Sequence, residues 1–473
     1  MSLTLSKHRV SRVFLALATA AALSLSCRHH PGNHRGDLLR ATFLSARDGA
    51  FDARRNALMA ASPVSFYRAT LSLFRRDWIH NTAGLSRSRF AVAGPMPLGV
   101  GDPHVENFGT LLGRDGRVTF EPDDLDAAAR LPYLWDLRRL TVGLCVAARD
   151  SNASSPNARR AAASAATAIA RETARAYAEA ICERAPDAPS ADGAIVDDLT
   201  RRAASDAASR EELSELTVIA DGARRLKRGP VDPRDASEQL LDPSRAAIDA
   251  LPELFERYRQ TLRTPPDGRF FTPLDVARAT GRGAASSATA RLLVLLRGPS
   301  DAPEDDVIVE IKELPEAVTP DASLDVDPVA RVLAAREVLW SRPDADPYWG
   351  AASWRGCPVQ LRAETAAAKG IHVSRMRGRL GTPEALTELA RTLARRLAAI
   401  HLRSLPRPPP QAEGIARDVA GFVEEQAQRS TRYADLVFED WARFRRIVQS
   451  ERPAAARASG PSSRPACSLF EGP

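Results

Sequence analysis

Residues 101–110 read GDPHVENFGT and concentrate two carboxylates, an imidazole and an amide in one short polar turn. Asp102 and Asn107 lie five positions apart. At this spacing a phosphoryl-transfer loop sets an aspartate against the acceptor hydroxyl and an asparagine on Mg²⁺. Both residue types are also common turn formers, which is the alternative interpretation of this pair. We expect His104 to orient the loop by hydrogen bonding, because no second histidine lies near it in the sequence to complete a metal site.

A second acidic segment, EPDDLDAA, follows at residues 121–128. Phosphoryl transfer needs an acidic metal ligand that reaches the β and γ phosphate oxygens, and Asp124 lies where that ligand is expected. Asp123 and Asp126 are either solvated neighbours of Asp124 or share the metal with it. Asp136, at the start of the next predicted helix, is expected to accept backbone N–H bonds from the preceding polar turn and to hold it rigid.

The groups suited to binding phosphate lie much further along the chain. Gly281 and Gly283 open the turn GRGAASS, and Lys312 ends the strand-like segment VIVEIK. Backbone amides of such a turn can lie over phosphates while the ammonium pairs with their oxygens. The alternative role for Lys312 is a charged residue that protects an exposed sheet edge.

Hydrophobic periodicity indicates the elements that position these groups. The polar turn leads into a predicted β-hairpin, GTLLG and RVTFEP joined by RDG, and then into the predicted helix LWDLRRLTVGLCVAARD. Residues 150–265 are alanine-rich and predicted to be helical. A second hairpin over residues 274–297 and the strand ending at Lys312 form a predicted β block. Further helices are predicted over 328–340, 384–404 and 413–449.

Composition bounds the class of protein. The chain has 473 residues, of which 44% are hydrophobic and 26% charged, an ordinary globular balance that excludes disorder throughout. The net charge of +7 comes from 66 Lys and Arg residues against 59 Asp and Glu residues. Because the arginines are scattered rather than gathered in one block, we expect a solvated surface and no nucleic-acid partner. Five cysteines without CxxC or metal-ligand spacing indicate neither a zinc site nor a dense disulfide framework.

The N-terminus predicts export. Basic residues precede the apolar run VFLALATAAALSLS, which stops at Cys27 and is too short to span a bilayer comfortably. This pattern is typical of a signal peptide. Two outcomes remain open, lipidation at Cys27 as in a bacterial lipoprotein and plain cleavage after an alanine such as Ala22. The chain is cytoplasmic if this segment is not a working signal.

The sequence resembles a bacterial family, domain of unknown function 2252, over roughly residues 37 to 445. That family is itself similar to the protein-kinase-like and aminoglycoside-phosphotransferase-like fold. The motifs that carry the resemblance are SPVSFYRAT, GDPHVENFG, EPDDLDAA, WDLRRL, GRGAASS, IVEIKE, VQLR and LAAIHLRS. The resemblance implies an α+β fold with two lobes and, by analogy with the kinase-like group, ATP and Mg²⁺ as cofactors.

The resemblance also implies roles for the residues above. Asp102 orients the acceptor, Asn107 and Asp124 hold the metal, His104 and Asp136 support the loop, and Gly281, Gly283 and Lys312 hold the phosphates. An acidic partner is expected for Lys312. On spacing, Glu337 is the best candidate, with Glu313 and Glu316 as alternatives.

The order of the motifs predicts a circular permutation. In kinase-like phosphotransferases a helix like the one ending at His401 immediately precedes the catalytic loop, yet here it lies near the C-terminus. We therefore expect this helix to pack beside the loop of Asp102, and Lys312 to lie within about 10 Å of Asp124. The predicted segments are a signal peptide over 1–27, a helical lobe over 37–265, a small antiparallel β lobe over 270–362 joined to it through VQLR, helices over 363–449 that pack on the helical lobe, and a flexible tail over 450–473.

Three functions are compatible with these patterns. The first is a kinase-like phosphotransferase that uses ATP and Mg²⁺ and acts on an unknown small-molecule or protein hydroxyl. The second is an inactive nucleotide-binding or interaction module of the same fold. The third, a metallophosphoesterase, lacks a downstream GNH-type motif and the extra histidines of a dinuclear centre. The expected partners are a nucleotide, a phosphoryl acceptor, and a membrane only through an N-terminal lipid anchor.

Overall fold

The structure is a computed structural model of the chain. It describes residues 34–43, 49–150, 155–183, 193–220, 222–232, 235–282, 291–298, 300, 302–315, 318–320, 326–376 and 382–455. The predicted signal peptide with Cys27, the predicted tail from residue 456 onward, and Gly283 lie outside these residues. Among the described residues, no helix has the length and apolar character needed to cross a membrane.

The larger part of the molecule is a packed set of helices around one central helix. That central helix, α5, is buried at every residue from Tyr133 to Val146. It packs against α6, α11 and α13. The helices are α1 (His34–Phe43), α2 (Gly49–Ala61), α3 (Pro63–Arg68), α4 (Leu71–Ile79), α5 (Tyr133–Arg149), α6 (Pro156–Glu183), α7 (Ala194–Asp206), α8 (Glu211–Leu216), α9 (Arg245–Arg259), α10 (Pro328–Leu339), α11 (Pro383–Ser404), α12 (Pro410–Arg417) and α13 (Val419–Ala455).

Local sequence signals explain where several helices begin. The side chain of Ser62 accepts a hydrogen bond from the Ser65 N–H, and Pro63 occupies the first turn of α3. Thr382 caps α11 in the same way, again with a proline in the first turn. A hydroxyl cap satisfies an amide that has no partner inside the helix, and proline has no amide to satisfy. The positions of α3 and α11 matter because both carry residues that contact the polar loop.

The second part of the molecule is a seven-stranded antiparallel sheet with the strand order β12-β13-β11-β10-β9-β8-β7. Strand β11 lies inside the sheet, since it pairs with β10 on one side and β13 on the other. Lys312 on β11 is therefore not at a sheet edge. The strands of the sheet are β7 (Gly229–Asp232), β8 (Asp235–Leu241), β9 (Pro273–Thr280), β10 (Arg291–Leu296), β11 (Val307–Glu313), β12 (Gly350–Trp354) and β13 (Cys357–Ala363).

The two faces of β11 differ in chemistry. Val307, Val309 and Ile311 join an apolar cluster with α9, which covers one face of the sheet. Side chains alternate along a strand, so Ile308, Glu310 and Lys312 belong to the opposite face. Ile308 packs there in a second apolar cluster, and the two charged side chains follow it towards the end of the strand.

Short strands frame the polar loop. β2 (Phe108–Leu112) and β3 (Val118–Pro122) form the hairpin predicted after the loop. β1 (Leu98–Gly99) leads into the loop and pairs with β4 (Ala129–Arg130), which follows the acidic segment. The loop and the acidic segment therefore lie side by side, because their flanking strands are paired.

Two sequence predictions require correction. Residues 150–265 are not helical throughout, since β5 (Thr217–Ala220) and β6 (Ala223–Leu226) form a hairpin and β7 and β8 extend the main sheet. The predicted helix over 413–449 is divided into α12 and α13 at Asp418, whose backbone leaves the helical region. The VQLR segment lies within β13, inside the predicted β block.

Candidate functional site

The polar loop is held by a buried carboxylate, as its sequence predicts. Asp136 is fully buried and accepts hydrogen bonds from the backbone N–H groups of Val100 and Gly101, at 2.7 and 2.9 Å. The indole N–H of Trp135 donates to the Gly101 carbonyl at 2.7 Å. Gly101 has a φ of +81°, and a Cβ there would overlap the Ala127 carbonyl. The entry to the loop is thereby fixed in one conformation.

Asp136 is in turn supported from the far end of the sequence. The Nε2 atom of His401 lies 3.2 Å from Asp136 Oδ2, and its Nδ1 atom lies 2.8 Å from the Tyr177 hydroxyl. All three side chains are buried. The predicted packing of the helix that carries His401 beside the loop of Asp102 is confirmed.

Replacing Asp136 by Asn is expected to lower the free energy of unfolding by about 2 kcal/mol. An amide has one acceptor oxygen, so one of the two loop N–H groups would be buried without a partner. The measurement is urea unfolding followed by tryptophan fluorescence. Asp327→Asn is the matched control, because its exposed carboxylate also accepts two backbone N–H bonds at the start of α10 and asparagine caps helices equally well. Equal effects of the two substitutions would contradict the prediction.

A buried arginine fixes Asp102. The Nε atom of Arg139 donates to Asp102 Oδ1 at 2.7 Å, and Nη2 donates to the Tyr67 carbonyl at 2.9 Å. The guanidinium lies over the Tyr67 ring, 3.8 Å from its centroid, and the Tyr67 hydroxyl donates back to the Arg139 carbonyl. Sequence reasoning missed this role of Arg139. Its available signal was the second arginine of WDLRRL, on a helix too apolar to be a solvated surface.

The remaining loop residues are arranged mainly by backbone contacts. The Asn107 side-chain amide donates to the Asp102 carbonyl at 3.0 Å, so its side-chain oxygen is the atom that could bind a metal. The His104 backbone bonds both to the Asp102 carbonyl and to the Asn107 N–H. Its imidazole makes no loop-orienting hydrogen bond of the kind expected, because among the described residues Nδ1 is buried without a hydrogen-bond partner and Nε2 lies 3.9 Å from Asp102 Oδ2. The backbone of His104, rather than its ring, shapes the loop.

Lys312 meets the acidic segment. Its ammonium lies 3.3 Å from Asp124 Oδ2 and forms a shorter ion pair with Asp126. The Asp126 N–H also donates to Asp124 Oδ1 at 3.1 Å, which closes a tight acidic turn. The expectation that Lys312 and Asp124 lie within about 10 Å is confirmed, although 188 positions separate them. Lys312 is 4% exposed.

Asp124 and Asp126 both contact the Lys312 ammonium, yet their pKa values shift in opposite directions. Burial opposes ionisation of Asp124, but Lys312 and the hydrogen bond from Asp126 outweigh it and lower the pKa of Asp124. Burial and the neighbouring Asp124 charge raise the pKa of Asp126. Burial would lower the pKa of Lys312, and the two carboxylates instead raise it. The turn thus presents a charged Asp124, the more exposed carboxylate at 34%, beside a permanently charged lysine.

The acidic partner of Lys312 is not the predicted one. Glu337, on α10, forms ion pairs with Arg263 and Arg336, while Lys312 pairs with Asp124 and Asp126. Spacing along the chain favoured Glu337, but α10 turns this side chain away from β11. Of the alternatives, Glu313 follows Lys312 on the opposite face of β11, and Glu316 lies outside the described residues.

Gly281 lies at the same end of the sheet as Lys312. Strand register pairs Ala279 with Arg291, and Arg291 with Lys312, so Gly281, two positions after Ala279, lies at this end. The φ of Gly281 is +81°, a conformation that favours glycine. Gly281 and Lys312 therefore lie at the same end of the sheet, as a shared phosphate-binding role would require.

The polar face of the sheet and the loop are directly connected. Arg362, on β13, donates to the Asp123 carbonyl at 3.1 Å, and the Asp123 N–H donates to the Asn107 carbonyl at 3.2 Å. The acidic segment thus links the polar loop to the sheet. The VQLR segment, predicted to join the two parts, makes this contact through its last residue, Arg362.

The donor set at this segment suits a hard divalent cation. Asp124 offers an accessible carboxylate and Asn107 an amide oxygen. The Asp126 Oδ1 atom is buried and has no hydrogen-bond partner in the part of the chain that the structure describes. Within the described ranges, no group of three or more His, Cys, Asp or Glu side chains is arranged to hold a metal ion. Mg²⁺ is commonly bound by one or two carboxylates together with substrate phosphates, so its other ligands here would come from a bound phosphate.

Comparison with known proteins adds a family. No curated protein and no solved structure matches the chain. The family described as an uncharacterized protein conserved in bacteria, DUF2252, matches residues 49–447. This match covers most of the sequence and includes both the polar loop and Lys312, and the chain therefore belongs to this bacterial family of uncharacterized proteins.

Proposed function

We propose that the protein is a phosphotransferase that uses ATP and Mg²⁺ to phosphorylate a hydroxyl group. The observation that carries this proposal is the meeting of Lys312 with Asp124 beside the Asp102 loop. Lys312 lies 188 positions from Asp124 in the sequence. Each of the three groups meets one requirement of phosphoryl transfer: Lys312 is a cation for phosphate, Asp124 a carboxylate for the metal, and Asp102 a carboxylate for the acceptor.

Asp102 is the residue that orients the acceptor. Arg139 holds Oδ1 at 2.7 Å, so Oδ2 is the oxygen left to accept the hydroxyl hydrogen. Burial raises the pKa of Asp102, and Arg139 opposes this rise. A carboxylate held in one orientation and made more basic by burial is suited to receive a proton in the transition state.

Asn107 and Asp124 would hold Mg²⁺, which neutralises charge that develops on the phosphate oxygens during transfer. Lys312 binds phosphate oxygens from the sheet side. Its present ion pairs with Asp124 and Asp126 keep the ammonium charged and directed at this position. The backbone at Gly281 approaches the same end of the sheet.

We further propose that the fold is a circularly permuted relative of the kinase-like fold. Two observations support this proposal. The sheet that carries Lys312 follows the polar loop in the sequence. The helix that carries His401 comes later still, and His401 contacts Asp136, which holds the loop. In the usual order of that fold, the lysine strand and this helix would both precede the loop. The experimental structure of the chain with nucleotide would test the proposal through the placement of the phosphates between Lys312 and Asp124.

Calorimetric titration with ATP, with and without Mg²⁺, tests the metal site. Asp124→Asn is expected to weaken binding of Mg²⁺-ATP by on the order of 10-fold or more and to leave metal-free ATP binding unchanged or tighter. The reason is that the substitution removes a metal ligand and also releases Lys312 from one carboxylate. Asp206→Asn is the matched control, because Asp206 forms a lysine ion pair with Lys369 at 2.6 Å outside the site.

An unchanged Mg²⁺ dependence in Asp124→Asn would move the metal site to Asp123 or Asp126. Absence of ATP binding by the parent chain would reject the nucleotide site altogether. Binding without turnover across hydroxyl acceptors would favour the inactive nucleotide-binding module over the enzyme.

A further inference from the structure

Arg68 belongs to the motif SPVSFYRAT and has no role in the function proposed above. It is the last residue of α3. Arg139 donates to the carbonyls of Tyr67 and Arg68, at 2.9 and 3.5 Å, with the same guanidinium that holds Asp102. The end of α3 is therefore fixed to the acceptor-side carboxylate.

The side chain of Arg68 retains unused donors. It forms an ion pair with Glu106, and the other Glu106 oxygen accepts from the Val373 N–H at 2.7 Å. The Nε atom of Arg68 is buried, and it has no hydrogen-bond partner in the described part of the chain. The side chain as a whole is 25% exposed. A charged arginine side chain that is partly open to solvent beside the polar loop is suited to pair with an oxyanion.

Arg68 lies beside the polar loop that carries Asp102. Its guanidinium pairs with Glu106 in that loop, and its carbonyl accepts from the same Arg139 guanidinium that holds Asp102. The Arg68 charge also opposes the burial that raises the pKa of Asp102. Lys312, in contrast, contacts Asp124. The two cations therefore come from different elements, Arg68 from α3 and Lys312 from β11.

Phosphoryl transfer calls for a second cation. The bond between the γ-phosphorus and the bridging oxygen breaks, with its electron pair leaving on ADP, while the acceptor oxygen bonds to phosphorus and passes its proton to Asp102. Negative charge spreads over the three equatorial oxygens in the transition state, and an arginine supplied there raises the rate by about 10³- to 10⁵-fold. Lys312 is positioned for the nucleotide side of this group.

We propose that Arg68 binds the transferred phosphoryl group from the acceptor side, opposite Lys312. This inference rests on the proposed function, and it adds to it the residue that stabilises the charge on the γ-phosphate oxygens. The ion pair with Glu106 holds the guanidinium at this position before the phosphate arrives. The alternative is that Arg68 only ties α3 to the loop through Glu106.

The test uses ADP, Mg²⁺ and aluminium fluoride as a probe of the transferring phosphoryl group, with Mg²⁺-ATP measured in parallel on the full chain. The parent chain is expected to bind ADP more tightly when aluminium fluoride is present. Arg68→Ala should lose this gain by on the order of 100-fold or more, while its affinity for Mg²⁺-ATP changes by less than about 3-fold. Arg68→Lys should recover part of the gain.

Glu106→Gln separates binding from structural support. It breaks the ion pair but keeps an oxygen for the Val373 N–H, so the Arg68 charge stays in place with less orientation and the variant should lose much less of the gain from aluminium fluoride than Arg68→Ala does. The inference is overturned if Arg68→Ala keeps the full gain, if Glu106→Gln loses as much as Arg68→Ala, or if the parent chain binds Mg²⁺-ATP without any gain. A parent chain that does not bind Mg²⁺-ATP overturns the proposed function itself, and this is seen before any variant is made.

Discussion

Asp102→Asn is expected to reduce phosphoryl transfer by on the order of 10³-fold while leaving the affinity for Mg²⁺-ATP nearly intact. In the proposed site the Asp102 carboxylate is assigned to the acceptor and is bound to Arg139. Metal binding is assigned to Asp124 and phosphate binding to Lys312, which contact each other. Asparagine still accepts a hydrogen bond from Arg139, but it cannot take the proton of the acceptor hydroxyl. The measurement combines turnover with nucleotide titration.

The matched control for this substitution is Asp115→Asn. Asp115 also pairs with an arginine, Arg342 at 2.9 Å, but it lies in the β2–β3 turn away from the loop. Its transfer rate should stay at the parent value. If Asp102→Asn lost nucleotide affinity and transfer equally, Asp102 would belong with the metal ligands and its assignment to the acceptor would fail.

Local sequence signals were sufficient to predict how the loop is held. Asp136 directly follows an apolar segment at a helix start, and its buried position and its bonds to the loop followed from that pattern. The hairpin after the loop was equally local, because RDG provides a turn between two alternating segments. The strand that ends in Lys312 was recognisable for the same reason, since its apolar residues are β-branched.

Contacts between distant segments were predictable only in part. The kinase-like analogy was needed to predict that Lys312 lies near Asp124. Identifying its acidic partner would also have required the relative placement of α10 and β11. Spacing along the chain favoured Glu337, but in the structure Lys312 pairs with Asp126 and Glu337 pairs with Arg263. The apolar helix around Arg139 indicated that this arginine is buried, but its partner, Asp102, lies 37 positions away and depends on the fold.

The strands missed in residues 217–241 have a different cause. Strands β7 and β8 are rich in Pro, Asp, Ser and Gln, residues that are depleted or neutral in strands. β7 lies at the edge of the sheet, where its proline needs no ladder partner. Pairing with β9 thus outweighs a weak local preference, and such tertiary stabilisation is not visible in composition.

Lys312→Met is expected to remove nucleotide affinity and to destabilise the fold. Lys312 is buried and is the cation that balances Asp124 and Asp126. Removal of one partner of a buried ion pair costs about 3 kcal/mol or more at neutral pH, because the remaining charge is left without compensation. Binding of ATP should weaken by on the order of 100-fold, since the same ammonium is assigned to the phosphate oxygens.

The pH dependence distinguishes this cause from a simple packing defect. Without Lys312, burial raises the pKa values of Asp124 and Asp126 in the folded state above their values in the unfolded chain. Ionisation of these carboxylates then destabilises the fold, and this cost disappears as the pH falls and they take up protons. The difference in the free energy of unfolding between Lys312→Met and the parent chain should therefore become smaller as the pH is lowered from about 8 to about 5. Lys369→Met, which breaks the more exposed pair with Asp206, serves as the control and should lose less than about 1 kcal/mol. A deficit in Lys312→Met that did not vary with pH would show that the lysine contributes packing rather than charge, and unchanged ATP affinity would remove it from the phosphate site.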